Sequence, residues 1–273
     1  MLTLINQEFK LKCQRNLIIR NFEPFFKHKM ISLLKKEISS FLSSLIGYIV
    51  ISVFLLAVSL FLWIFPDTSF NVLEAGYANT DSLFIVAPWV FMFLIPAITM
   101  RSFAEEKKSG TVELLLTKPL SDLEIILAKY FAGFVLVLIS LLPTLIYFLT
   151  VYLLASPVGN VDTGGMWGSY LGLLFLAAGF VSIGIFSSSI TDNQIIAFIL
   201  GMFLCFLFYT GFQSLSALSL FGSIDDVILN LGINTHFSSM SRGVIDTRDV
   251  IYFLSLIALF VVLTKTVLES RKW

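Results

Sequence analysis

Residues 130–154 read YFAGFVLVLISLLPTLIYFLTVYLL, 25 consecutive positions without a charge. A helix crossing the hydrocarbon core of a bilayer needs about 20 apolar residues, and this run exceeds that. It shows no alternation of apolar and polar positions, which excludes a strand of a transmembrane barrel. Five further runs stand around it, at 45–65, 83–100, 168–190, 195–215 and 250–268, the last with a single charge, Lys265. The sequence therefore predicts an all-α polytopic membrane protein with six transmembrane helices. The first run begins too deep in the chain for a cleaved signal peptide and reads as a signal anchor.

Composition agrees. Of 273 residues 57% are hydrophobic, 13% are charged and 28 are Phe, and mean hydropathy is +0.91. A soluble domain carries about 25% charged residues, so a soluble enzyme is excluded. The aromatic content excludes disorder. Basic and acidic residues balance at 18 each, which gives no sign of a nucleic-acid partner.

Resolved by segment, the balance disappears. Alternate loops and tails place 16 Lys and Arg on one side of the membrane and 2 on the other. The positive-inside rule then puts both termini and the 101–129 loop in the cytoplasm, as expected for a multi-pass protein of the inner membrane. Residues 1–29 are expected to be a poorly ordered N-terminal extension, or the product of an upstream misread of the start codon. Residues 30–44 have amphipathic spacing (Leu33, Leu34, Ile38, Phe41 and Leu42, with Glu37 among them) and predict an interfacial helix. The six-span body is then 45–273. Cys13 and Cys205 lie in the tail and inside the fifth run, and no Cys/His spacing suggests a metal site or a bound cofactor.

The 101–129 segment divides on local signals. Arg101 to Lys108 continues the second span as a charged helix, and Ser109-Gly110 breaks it. Thr111 is the expected N-cap of a short helix over Val112 to Thr117, with Glu113 in its first turn. Pro119 ends that helix, and Ser121-Asp-Leu-Glu124 is a capping-box pattern that opens the third span. The product is an elbow whose Leu114, Leu115 and Leu116 form an apolar face rimmed by Glu105, Glu106, Lys107 and Lys108, suited to docking a cytosolic partner. A solvated loop that only sets topology is the plainer alternative. It accounts for the basic residues but not for three leucines behind a capped break.

From Arg101 through Pro119 the sequence resembles the first intracellular loop of type-2 ATP-binding-cassette (ABC) transporter permeases. That pattern is a basic residue, Glu-Glu or Glu-Lys/Arg, then Ser-Gly-Thr-x-Glu-Leu-Leu-Leu-Thr-x-Pro. Glu105, Gly110, Thr111, Glu113, Leu114, Leu115, Leu116, Thr117 and Pro119 match it. Arg242-Gly-Val-Ile-Asp246-Thr-Arg248-Asp249 resembles a second family segment, Arg-Gly-x-x-Asp, before the sixth span. The resemblance covers about 30–273 and is nearest to the permease associated with gliding motility, with the permease for nitrous oxide reductase maturation a neighbour. It implies a coupling helix around Thr111 to Thr117 that docks on a separate ABC ATPase subunit, with Arg101, Glu105 and Glu106 near its entry. It also implies two ATPase copies that bind ATP and Mg, and a dimer with a second copy or a related permease. The chain has no Gly-x-x-x-x-Gly-Lys-[Ser/Thr] loop of its own, so it is not expected to be an enzyme. A membrane scaffold or anchor of a motility or secretion machine, moving no substrate, is the alternative.

No charge lies near the centre of any span, which argues against an ion path. Tyr147, Thr150, Ser187-Ser188-Ser189, Tyr209, Thr210 and Gln213 either line a substrate path or make interhelical and local hydrogen bonds, and the second reading is preferred. Gly168-x-x-x-Gly172, Gly179 and Gly184 predict close helix packing. Pro88, Pro96 and Pro143 predict kinks. In the 216–249 loop, a short helix is expected over Ile224 to Leu231, and Arg242, Asp246, Arg248 and Asp249 are expected to pair with one another and pin the loop. The lone His236 there supplies no metal-ligand set.

Overall fold

The computed structural model describes residues 30–66, 68, 70–74, 76–111, 121–218, 222 and 225–270. The extension 1–29 and the predicted helix over Val112 to Thr117, with Glu113, Leu114, Leu115, Leu116 and Pro119, lie outside the described residues. Among the described residues 82% are helical and none lies in a strand. Among the described residues six helical stretches are long and apolar enough to cross a membrane.

Helix α1 (residues 30–42) precedes the first crossing. Span 1 is α2 (Leu45–Ser59) extended by a π-helical turn, Leu60–Ile64; Ser44 caps α2 by accepting from Gly47 N. Span 2 is α3 (Asp81–Thr99) followed at Met100 by α4 (Arg101–Lys108). Span 3 is α5 (Asp122–Leu141), a 3₁₀ turn at Leu142–Thr144, and α6 (Leu145–Leu154). Span 4 is α7, Thr163–Ile190. Span 5 is α8 (Gln194–Phe206), a π-helical turn at Leu207–Gly211, and α9 (Phe212–Ala217). Two short helices follow, α10 (Asp225–Asn230) and α11 (Ile233–Met240), before span 6, α12 (Thr247–Glu269).

The apolar runs locate the crossings, and the caps move their ends. Ser121 and Glu124 form the capping box that their spacing predicts, with Glu124 Oε2 accepting from Ser121 N at 2.7 Å, so span 3 starts at Asp122 rather than at Tyr130. Asp162 accepts from Gly165 N and starts span 4 five residues before Gly168. Pro143 interrupts span 3 with a 3₁₀ turn, whereas α3 runs unbroken through Pro88 and Pro96.

Span 4 is the axis of the bundle and the most enclosed of the six, because its glycines let neighbours approach. A Cβ at Gly168 would stand 2.6 Å from Gly243 Cα, and one at Gly172 would stand 2.9 Å from Met240 Cβ. Gly243 itself has φ +81, in the left-handed region that favours glycine. The α11–α12 turn therefore seats directly on the start of span 4, while Gly179 admits Leu256 and Phe253 of span 6.

Candidate functional site

The elbow joins spans 2 and 3, and the structure shows what holds its base. Helix α3 ends at Thr99 and α4 restarts at Arg101, so amides in the first turn of α4 need acceptors from elsewhere. Ser188 of span 4 supplies one. Its Oγ accepts from Phe103 N at 2.9 Å and Ala104 N at 3.1 Å, and donates to Met100 O at 3.0 Å. A hydroxyl inserted into the helical ladder is a recognised cause of a bend. Beside it Lys107 Nζ donates to Ser189 O. Ser187 and Ser189 hydroxyls bond back to Ile183 O and Phe186 O, so the serine triplet serves helix-to-helix and local bonding.

Seven residues into α5, Lys129 is enclosed with no exposure of its side chain. Its ammonium has three oxygen neighbours, contributed by two other helices. Glu37 Oε1 of α1 lies at 3.0 Å, Ser102 O of α4 at 2.6 Å, and Glu106 Oε2 of α4 at 3.0 Å. The Glu106 contact is an ion pair off the line of an N–H bond, since that oxygen takes no directed hydrogen bond. The Phe103 ring lies 5.1 Å from Nζ. Lys36 Nζ reaches Glu106 Oε1 at 3.8 Å from the other side. A buried charge is tolerated only when paired, and here one cation fastens α1, α4 and α5 together.

Of the residues that the sequence points to near the elbow, Arg101 and Glu105 form a two-bond i,i+4 pair at 2.8 and 3.1 Å on the partly exposed side of α4. Glu106 faces inward to Lys129. Gly110 has φ +70 and turns the chain out of α4, and Thr111 N closes that turn on Glu106 O at 2.9 Å. Lys129 and Ser188 escaped the sequence reading as site residues. The signal for Lys129 was present: a lysine eight positions past the N-cap Ser121 falls inside the helix, not in the loop.

At the far end of the bundle the Arg and Asp side chains do not pair with one another, contrary to expectation. Asp246 N-caps α12 through Oδ1, which accepts from Arg248 N at 3.0 Å. That bond holds its carboxyl below the ordinary aspartate value. Asp249 is buried and meets His236 Nδ1 at 2.7 Å. His236 Nε2 lies 3.0 Å from Asn230 O, and the ring stacks 3.9 Å from Tyr252. Arg242 and Arg248 make no ion pair among the described residues. A cap and a histidine thus do the pinning assigned to the arginines. Among the described residues no group of three His, Cys, Asp or Glu is placed to hold a metal.

The model of a family described as ABC-2 family transporter protein matches residues 68–264. This chain belongs to the ABC-2 transporter family. The match takes in spans 2 to 5, the elbow and most of span 6. A comparison with curated proteins finds no match. As an ABC-2 transporter protein it is a multi-pass membrane subunit, and the family implies an ABC ATPase partner. In the ABC-2 chain the Lys129 ion cluster therefore sits at the ends of spans 2 and 3 that the elbow joins.

Proposed function

We propose that this chain is the permease of an ABC exporter or force-transmitting machine of the inner membrane, with both termini and the elbow in the cytoplasm. The short helix at 112–117 docks on a separate ATPase subunit, with Arg101, Glu105, Glu106, Gly110 and Thr111 shaping its entry. Two permease chains, identical or related, work with two ATPase copies, which hold the ATP and Mg. Closure of the ATPases pushes on the elbow and switches the spans between two packings. The resemblance in the 101–119 and 242–249 segments directs the subtype to gliding motility.

The observation that carries this reading is the Lys129 cluster. A push is transmitted by rigid, contiguously packed elements that have discrete arrangements. Lys129 joins the last turn before the elbow, the first turns after it, and α1. Force applied to the short helix thus reaches two spans and the interfacial helix as one body.

The test is a catalytically dead ATPase partner in the native host. The coupling reading expects loss of the exported product or of surface movement although the complex still copurifies. Full function with the dead ATPase would show a scaffold that moves nothing.

A further inference from the structure

Two cavities at the far end of the bundle meet at one residue. The first, of about 550 Å³, lies between the start of span 2, the start of span 4 and the α11–α12 turn, with Asp81, Asp162, Arg242, Thr80 and Ser238 in its wall. The second, of about 660 Å³, is an open groove along spans 1 and 2, lined by Ala57, Phe61, Phe70, Trp89, Phe93 and other apolar side chains. Ile85 lines both. The two cavities thus adjoin at Ile85, one carrying charged side chains in its wall and the other lined almost wholly by apolar ones.

The dimensions match one leaflet. From Asp81 to Phe93 the helix rises about 18 Å, against about 15 Å for half of the hydrocarbon core. Charge narrows the occupant further. Asp81 Oδ2 accepts from Asn79 Nδ2 at 2.8 Å, and Asp162 Oδ1 from Gly165 N at 2.9 Å. The second oxygen of each carboxylate takes no hydrogen bond among the described residues. Arg242 is exposed and makes no side-chain hydrogen bond or ion pair among the described residues. The contact of Gly243 on Gly165 and Gly168 sets the turn that carries it against span 4. Two carboxylates and one guanidinium give the wall a net negative charge, which suits a cation accompanied by an anion rather than an anion alone.

We propose that this composite site binds one phospholipid whose head group carries an ammonium beside its phosphate. The ammonium lies between Asp81 and Asp162, the phosphate lies on Arg242, and one acyl chain fills the groove past Ile85. The site stands on the membrane embedding of the chain and is independent of ATPase coupling, so either idea can fail without the other.

The experiment uses the full chain purified in detergent. Native mass spectrometry follows titrations with phosphatidylethanolamine, with phosphatidylglycerol, and with soluble phosphoethanolamine as competitor. Asp162→Asn keeps an N-capping side chain, so Asp81→Asn/Asp162→Asn removes charge with the helix start retained. That double variant is expected to weaken phosphatidylethanolamine binding about tenfold, the loss of one charge-assisted bond, and to leave phosphatidylglycerol binding no weaker than before. Trp89→Ala is expected to weaken both lipids. If the double variant does not purify monodisperse, the exposed Arg242→Gln is expected to weaken both lipids through their shared phosphate. Equal binding of the two lipids by the wild type, or an unaffected double variant, overturns the head-group assignment. Displacement by phosphoethanolamine, or no effect of Trp89→Ala, assigns the chamber to a small soluble zwitterion. Absence of any adduct overturns the site.

Discussion

Lys129 Nζ stands 3.0 Å from Glu37 Oε1, joining positions 92 residues apart in the chain with no exposure of the lysine side chain. The pair fixes α1 to the base of span 3, and Glu106 brings in span 2. Removal of the cation would leave two carboxylates facing each other in a closed space. Lys129→Met should therefore destabilise the fold by about 3–5 kcal/mol, the cost of breaking a buried pair on one side. Adding Glu37→Gln and Glu106→Gln should recover much of that loss. Thermal unfolding in detergent measures both.

Ser188→Ala removes the acceptor shared by Phe103 N and Ala104 N. Two buried amides are left without a partner, at about 1–3 kcal/mol each. Hydrogen exchange should accelerate over 101–108 while the middle of span 4 stays protected. Ser188→Thr, which keeps the hydroxyl, should exchange more slowly than the alanine variant.

Gly168→Ala puts a methyl 2.6 Å from Gly243 Cα, a backbone atom that cannot rotate away. Overpacking of this kind costs about 1–3 kcal/mol. Gly164→Ala, in the same helix, meets only Asp162 Oδ1 at 3.5 Å and should be neutral or slightly stabilising. The unfolding midpoint of Gly168→Ala should fall, while that of Gly164→Ala stays level or rises slightly.

Asp246 makes the start of span 6 sensitive to acid. The bond from Arg248 N lowers its folded carboxyl below the ordinary value of 3.8. The carboxylate therefore adds stability that is fully present above pH 3.8 and is lost as pH falls through the lower folded value. Asp246→Asn retains a capping oxygen but has nothing to titrate. Exchange of the Arg248 amide should rise on acidification in the wild type and stay flat in the variant.

Much of the fold was legible as apolar runs, because a bilayer demands length and lack of charge from every crossing. Caps were legible too: Ser121 with Glu124 carries its own signal three residues apart. What local pattern could not show was partnership across the chain. Lys129 reads as the last charge of a loop until Glu37 and Glu106 are found around it. Asp249 reads as a partner for Arg248, its neighbour in sequence, yet it meets His236 because α11 folds back on α12. The serine triplet was read correctly as hydrogen-bonding, but its target at the α3–α4 break depends on a helix 85 residues away.

The central claim is that the elbow takes the push of an ATPase and that Lys129 passes it on. ATPase stimulation in the reconstituted permease–ATPase complex, compared for wild type, Glu113→Lys, Leu115→Asp and Lys129→Met, tests this most directly. The account predicts that the two elbow variants lose both copurification and stimulation, while Lys129→Met still copurifies and loses stimulation alone. Wild-type stimulation in all three variants, with the ATPase still bound, would contradict it.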